Sequence, residues 1–334
     1  MTLRSSPGPL VDDHDAVLLD LDGVVYVSDH AVPEAVEALT KAEAGGAALA
    51  FLTNNAARTP RAVADHLRRL GLPADIEDVV TSAQAIARVM ADELETGSRV
   101  LVCGGEGLRE AVHDVGLVPV SSADETPDAV VQGYFPEIGW RDLAEVAYAV
   151  EAGLPWYVSN TDRTIPTARG IAPGNGSLVE VVRVAASAEP RAIAGKPYLP
   201  LFEVTVERIQ TERPLMVGDR LDTDIAGARA ADIASFAVLT GVSGIADLVA
   251  ATEDERPDYV AADLRGLHQA HPPVETDGAT ATCGDAVARS TDGRIALDRP
   301  AADVASLRAV VGLAWHLRDT GSAIPSVDSG TLGL

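Results

Sequence analysis

Bonds and ligands that cysteine would supply are almost absent from this chain. Of 334 residues only Cys103 and Cys283 are cysteine. They lie far apart and match no metal-ligand spacing, so both are expected to be reduced, with Cys103 in a core strand. The seven histidines show no metal spacing either; His113 and His316 read as helix-face residues. Aromatic residues make up 4%, so alanine, valine and leucine must fill the interior. Tyr134, Tyr157 and the three tryptophans are expected in that interior. No apolar run approaches the roughly 20 residues of a membrane span. The opening MTLRSSPGPLVDDHD has no apolar stretch of the kind a signal peptide needs. A cytoplasmic location is therefore expected. Positive charge is also scarce: 26 Lys and Arg face 50 Asp and Glu, a formal net charge of −24. Such a field repels nucleic acid and anionic membranes, and neither is expected as a partner. A phosphorylated ligand would feel the same field, so a phosphate site here needs a metal or local cations.

What the chain does have is a regular alternation of short apolar runs and amphipathic stretches. AVLLDL (16–21), broken only by Asp20, reads as a strand buried on both faces, and AALAFLT (47–53) as a second. Between them a helix opens at Pro33 and closes at Gly45-Gly46. Thr59-Pro60 starts another, which ends at Gly71. The rhythm continues through 82–160 and resumes from 200 with RPLMVGD and SFAVLTG. Residues 160–177, rich in Gly, Pro and Asn, read as a loop. This pattern predicts an α/β fold with a Rossmann-like, doubly wound parallel sheet. After about 270 the pattern changes to a hairpin turning at Thr291-Asp292-Gly293, followed by an amphipathic helix anchored by Trp315.

The expected boundaries are a flexible leader (1–14), a discontinuous catalytic core (15–81 and 190–270), an inserted α/β domain (82–189) and a C-terminal extension (271–334). The extension is expected to pack on the core.

Ligands of open parallel sheets bind beyond the C-terminal strand ends, and the polar residues of note fall there. Asp20 and Asp22 end the first strand, Thr53, Asn54 and Asn55 the second, and Asp219 ends LMVGD, with Asp222 and Asp224 behind it. Lys196 lies in AGKP. Phosphoryl transfer needs cations on the phosphoryl oxygens and fixed positioning. Mg²⁺ takes oxygen ligands, which Asp20, Asp219 and the backbone carbonyl of Asp22 could supply. One acid of the first strand would attack phosphorus, and the other would handle the proton. Side chains at i and i+2 point the same way in an extended segment, which would aim both acids at one substrate.

DLDGVVY, LTNN, GKP and GDRLDTDI, in this order, resemble the four motifs of the haloacid dehalogenase superfamily over about 16–270. The resemblance implies that Asp20 is the nucleophile and Asp22 the general acid and base. It makes Thr53 and Lys196 the remaining catalytic residues, and gives a Mg²⁺ site at Asp20, Asp22, Asp219 and Asp224, the last in a supporting place. The insertion, with GGEGLREA, NTDRTIP and APGNGSLVEVV, resembles the cap of the p-nitrophenylphosphatase branch. Substrate contacts are then expected at Gly23, Thr53, Asn54, Asn55, Asp162, Arg163 and Lys196, with Arg169 a further candidate. A roof over the site selects a small phosphorylated metabolite. The extension resembles that of glycerol 3-phosphate phosphatases of actinobacterial type. Glycerol 3-phosphate is thus the first expectation, with 2-phosphoglycolate and pyridoxal 5′-phosphate next. A homodimer through the cap would fit the branch. A phosphotransferase, a phospho-acceptor signalling module and a non-catalytic binding protein are the competing readings.

Overall fold

The computed structural model describes residues 2–167, 169–299 and 301–327, without the side chain of Pro166. The chain forms two compact units, Met1–Ala50 with Gln210–Leu334, and Phe51–Ile209. The α/β class with parallel sheets is present in both.

In the first unit, strands run parallel in the order Tyr259–Ala261, Ala234–Val238, Pro214–Gly218, Ala16–Asp20. The start of strand Ala48–Thr53 follows alongside, Ala48 donating its N–H to the Asp15 carbonyl at 3.0 Å. Ala16–Leu19 are fully buried, as a strand covered on both faces must be. The chain leaves extended geometry directly after Asp20, for the Leu21 carbonyl accepts from the N–H groups of Val25 (2.9 Å) and Tyr26 (3.1 Å). The i, i+2 argument for Asp20 and Asp22 therefore does not hold beyond the strand end. A small hairpin, Tyr26–Val27 with His30–Ala31, follows.

The extension is larger than one hairpin. Five strands, Val274–Asp277, Thr280–Cys283, Ala286–Thr291, Arg294–Leu297 and Ser326–Val327, form a sheet in sequence order. The expected turn is there, with Asp292 and Gly293 both at positive φ (52° and 75°), as a tight two-residue hairpin requires. Helix Val304–Asp319 packs on this sheet through Leu307, Val310 and Leu313. Trp315 is buried and donates its indole N–H to the Leu248 carbonyl at 2.8 Å. Residues 328–334 of the expected extension lie outside the described residues.

The leader departs from expectation: it is packed rather than mobile. Leu3 and Leu10 are buried, Arg4 donates its N–H to Asp258 O at 2.9 Å, and Ser6 bridges His271. Two isolated leucines give no periodicity to read, which is why the sequence does not reveal the docking. The side chain of Arg308, fully buried, ties these pieces together. It donates to the carbonyls of Arg4 and Pro272 and to Nδ1 of His271.

The second unit contains the end of strand Ala48–Thr53, paired in parallel with Val79–Thr81. It also has a five-stranded parallel sheet in the order Ala192–Ile193, Trp156–Val158, Ala129–Gln132, Arg99–Cys103, Val118–Val120. Helices Trp140–Glu151 and Asn175–Ala186 bring Val146, Val150, Val179 and Val182 onto this sheet. Pro60–Arg69 begins where expected, the Thr59 hydroxyl accepting from Ala62 N–H at 3.2 Å. The expected loop at 160–177 instead holds an antiparallel hairpin, Thr164–Thr167 with Gly170–Pro173. Its strands are short and mostly exposed, so they carry no apolar alternation. Trp140, expected inside, is 76% exposed, because it is the first residue of its helix and precedes the packed stripe.

His271 offers a test of the packing. Its Nε2 lies 3.0 Å from the Gly266 carbonyl, which only accepts. The proton is therefore on Nε2, and Nδ1 accepts from Arg308 at 3.5 Å. Burial, and then the Arg308 charge, push its pKa from 6.5 down to about 4. The unfolded chain therefore binds the extra proton first as pH falls. Stability should be constant above about pH 6.5 and decline as pH falls to about 4, by up to ~3 kcal/mol. Denaturant unfolding across that range should show this decline, and His271→Gln should make it shallower, with half-buried His14, whose pKa burial also lowers, supplying the remainder.

Candidate active site

Three acids of the first unit meet at the strand ends. Asp20 closes strand Ala16–Asp20, Asp219 follows strand Pro214–Gly218, and Asp224 sits in a single wide π-helical turn, Leu221–Ile225. Each offers a carboxylate oxygen within 4.8 Å of the others, and Asp219 and Asp224 are 1% exposed. The wide turn is set by paired bonds, with the N–H groups of Asp224 and Ile225 both reaching Arg220 O (3.0 and 3.3 Å). Such local irregularity is common at functional positions. The Asp224 carboxylate in turn accepts from Arg220 N–H at 3.1 Å. Asp22 is exposed, and its carboxylate lies outside this group of three. Crowded carboxylates repel one another strongly at low dielectric. Hard oxygen ligands of this kind fit a divalent cation such as Mg²⁺.

Glycines make the crowding possible. A Cβ on Gly23 would lie 2.6 Å from Asp219 Oδ2, and a Cβ on Gly241 or Gly218 would overlap Asp219 or Asp224 outright. Gly23 also sits at φ +92°, which favours glycine.

Two of the predicted residues of the second unit, Asp162 and Lys196, form a hydrogen-bonded knot around a third, Asn54. Its Nδ2 donates to both carboxylate oxygens of Asp162 (3.2 and 3.1 Å) and to Lys196 O (3.0 Å), while its Oδ1 accepts from Lys196 N–H (2.8 Å). Its own carbonyl accepts from Ser82 Oγ and Asn160 Nδ2, both at 2.7 Å. The side chain of Asn54 is thereby spent on bracing. Lys196 is 2% exposed and Thr53 4%. The Thr53 hydroxyl accepts from Asn55 N–H at 3.0 Å, which leaves its proton available to donate. Arg163 and Arg169 are exposed. Of the predicted residues, Asn55 also lines a cavity of about 700 Å³ within this unit, beside Arg58, Arg109, Tyr134 and Phe135.

Neither cysteine offers a competing nucleophile. Burial drives the Cys103 thiol up to about 12 and that of Cys283 in the same direction, so neither is a thiolate near neutral pH.

Family comparison agrees with this geometry. Residues 17–118 match the haloacid dehalogenase-like hydrolase model, and residues 193–267 a HAD-hydrolase-like model. The chain is 47% identical over 260 residues to the D-glycerol 3-phosphate phosphatase of Mycobacterium tuberculosis (strain ATCC 25618 / H37Rv), covering 78% of this chain and 72% of that protein. The chain belongs to the haloacid dehalogenase-like hydrolases. Its fold resembles the crystal structure of a glycerol phosphate phosphatase from Mycobacterium tuberculosis in complex with magnesium, with a TM-score of 0.82 and 39% identity, covering 96% and 94% of the two chains. A p-nitrophenyl phosphatase from Archaeoglobus fulgidus gives a TM-score of 0.71 and 28% identity over 76% and 98%.

One part of this hydrolase's site was missed by sequence reading. In the segment Thr240–Ser243, Val242 donates its N–H to Asp219 Oδ2 at 2.6 Å, and Ser243 donates its N–H to Asp219 O at 3.0 Å. Thr240 Oγ1 donates to Gly23 O at 2.6 Å. Main-chain donors leave no residue signature, and the sole hint is a TG dipeptide at a strand end.

The carboxylate group is testable by metal response. Mg²⁺ should raise the wild-type Tm. The rise should shrink in Gly241→Ala, whose methyl group displaces Asp219, and vanish in Asp219→Asn. An undiminished rise in Asp219→Asn would remove Asp219 from the metal site.

Proposed function

We propose that this hydrolase is a Mg²⁺-dependent phosphatase that cleaves glycerol 3-phosphate through an aspartyl phosphate on Asp20. The observation that carries the reaction is the Asp20, Asp219 and Asp224 carboxylate group at the strand ends. The substrate rests on the 47% identity to a D-glycerol 3-phosphate phosphatase.

The two steps balance on the chain's own residues. A carboxylate oxygen of Asp20 attacks phosphorus as the bond from phosphorus to the leaving oxygen breaks, and Asp22 gives that oxygen its proton. Glycerol leaves. Asp22, now a carboxylate, takes a proton from water, whose oxygen bonds to phosphorus as the phosphorus–oxygen bond to Asp20 breaks. Phosphate leaves, with Asp20 ionised and Asp22 protonated as at the start. Bound Mg²⁺, held by Asp20, Asp219, Asp224 and the Asp22 carbonyl, would neutralise charge on the phosphoryl group. Thr53 and Lys196 are assigned to the phosphoryl oxygens, with Gly23, Asn54 and Asn55 beside them. Asp162 and Arg163 are assigned to the glycerol end. Residues 82–189, with their own sheet and apolar core, are proposed as a cap that admits small metabolites.

Two further assignments belong to this reading. Exposed Tyr148 on helix Trp140–Glu151, and Val181 and Val184 on helix Asn175–Ala186, support a homodimer through this face. Among the described residues no helix is long and apolar enough to cross a membrane, and both cysteines are free; we assign the protein to the cytoplasm.

Phosphate release from a panel of small phosphomonoesters tests the proposal. Glycerol 3-phosphate should turn over with Mg²⁺ and be silent with EDTA or in Asp20→Asn. Asp22→Asn should lose roughly 10²- to 10⁴-fold. Faster turnover of 2-phosphoglycolate, pyridoxal 5′-phosphate or a nucleoside monophosphate would replace the substrate and keep the chemistry. Light scattering tests the dimer: Val184→Asp should give a monomer if the face is paired.

A further inference from the structure

We infer that the C-terminal extension is part of the catalytic apparatus, holding the Thr240–Ser243 segment as a positioning element for the metal-binding carboxylates. This rests on the hydrolytic reading of Asp20 and Asp219 given above.

The first link is between the segment and the acids. Thr240 Oγ1 holds the Gly23 carbonyl at 2.6 Å, next in chain to Asp22. Two residues on, Val242 N–H holds Asp219 Oδ2. The side chain of Val242 is 65% exposed, so packing does not explain its place; its N–H does. Ser243 adds a second tie, its hydroxyl accepting from Leu221 N–H at 3.3 Å at the start of the turn that carries Asp224. One short segment thus touches the loop of Asp20 and Asp22, the carboxylate of Asp219 and the turn of Asp224. A displacement of the segment would misalign the set.

The second link is between the segment and the extension. Ser243 leads directly into helix Ile245–Ala250, through Gly244. That helix has six residues, too short to stand by itself. Its closing carbonyls are bonded by helix Val304–Asp319, Leu248 O also accepting from the N–H of the cap residue Ala251 at 3.3 Å. Trp315 Nε1 donates to Leu248 O at 2.8 Å, and Arg318 Nη1 to Val249 O and Ala251 O at 3.1 and 2.6 Å. Leu248, Ala251 and Trp315 share one buried cluster. Trp315 is fixed in turn by the Arg256 guanidinium, 5.0 Å from its ring centre, and Arg256 forms a two-pronged ion pair with Asp319 (2.8 and 2.7 Å). The extension therefore grips one end of a short helix whose other end emerges from the positioning segment.

Three variants of the full chain test this: Thr240→Val, which keeps shape and removes the hydroxyl, Thr240→Ser, which restores it, and Trp315→Phe, which keeps a ring and removes the N–H. The readouts are Mg²⁺ affinity by calorimetry with the metal alone, and kcat. Thr240→Val should weaken Mg²⁺ binding about fivefold to tenfold and lower kcat. Thr240→Ser should stay within about twofold of wild type. Trp315→Phe should weaken Mg²⁺ binding about twofold to fivefold. Wild-type Mg²⁺ affinity in Thr240→Val, or equal damage in Thr240→Ser, overturns the positioning role. Wild-type affinity in Trp315→Phe overturns the part assigned to the extension. Should Thr240→Val fail to fold, Thr240→Ala serves with the same outcomes. The metal readout needs no substrate, so a wrong substrate leaves this test intact, whereas failure of the hydrolytic reading appears as absent turnover in the wild type.

Discussion

Mutual repulsion among Asp20, Asp219 and Asp224 is the constraint that the first unit must overcome. Carboxylates that share less than 5 Å of space are held there only by covalent and hydrogen-bonded anchors that cannot drift. Each acid is accordingly placed at or just after the end of a buried strand or in a turn, not on a free loop. Gly23, Gly218 and Gly241 clear the volume around them, and N–H groups of Arg220 and Val242 point at their oxygens. An N–H dipole stabilises an ionised carboxylate without adding a neutralising charge. The net charge is kept for a cation.

The second unit solves a related problem with one amide. Lys196 is almost fully buried, and a buried ammonium is costly unless its surroundings are polar and fixed. Asn54 fixes the backbone of Lys196 on both sides, donating to its carbonyl and accepting from its N–H. The same side chain holds Asp162. Asn160 and Asn175 extend the brace, Asn175 Nδ2 reaching Asn160 O at 2.7 Å. Asparagines far apart in the chain, two of them in a stretch that reads as loop, thus act as a set of cross-struts.

The extension, the leader and the core of the first unit form one packed body through Arg308 and Trp315. Burying a guanidinium that bonds mainly to carbonyls is expensive, and the cost makes sense where three chain segments must be held in one register. Arg4, His271 and Pro272 all meet it. The same body carries the loop beside Asp219, so rigidity far from the acids is transmitted to them through a single short helix.

The sequence by itself determined the α/β alternation, the order of the motifs and the placing of Asp20 and Asp219 at strand ends; Asp224 is named only through the family resemblance, and Asp22, named with them, has its carboxylate outside the group of three. It could do so because buried parallel strands read as continuous apolar runs, and because an acid at the end of such a run has no packing reason to be there. The Asp292-Gly293 turn and the Thr59 cap were legible for the same kind of reason: their chemistry is local. The tertiary structure alone decided that Asn54 braces Lys196, that Leu3 and Leu10 dock the leader, that Thr164–Thr167 pairs with Gly170–Pro173 as a hairpin, and that Thr240, Val242 and Ser243 orient the acids. Each of these rests on hydrogen bonds or contacts between segments far apart in the chain or on main-chain donors. A main-chain N–H is the same in almost every residue, so the string of letters cannot announce where it points; only the folded path of the chain does.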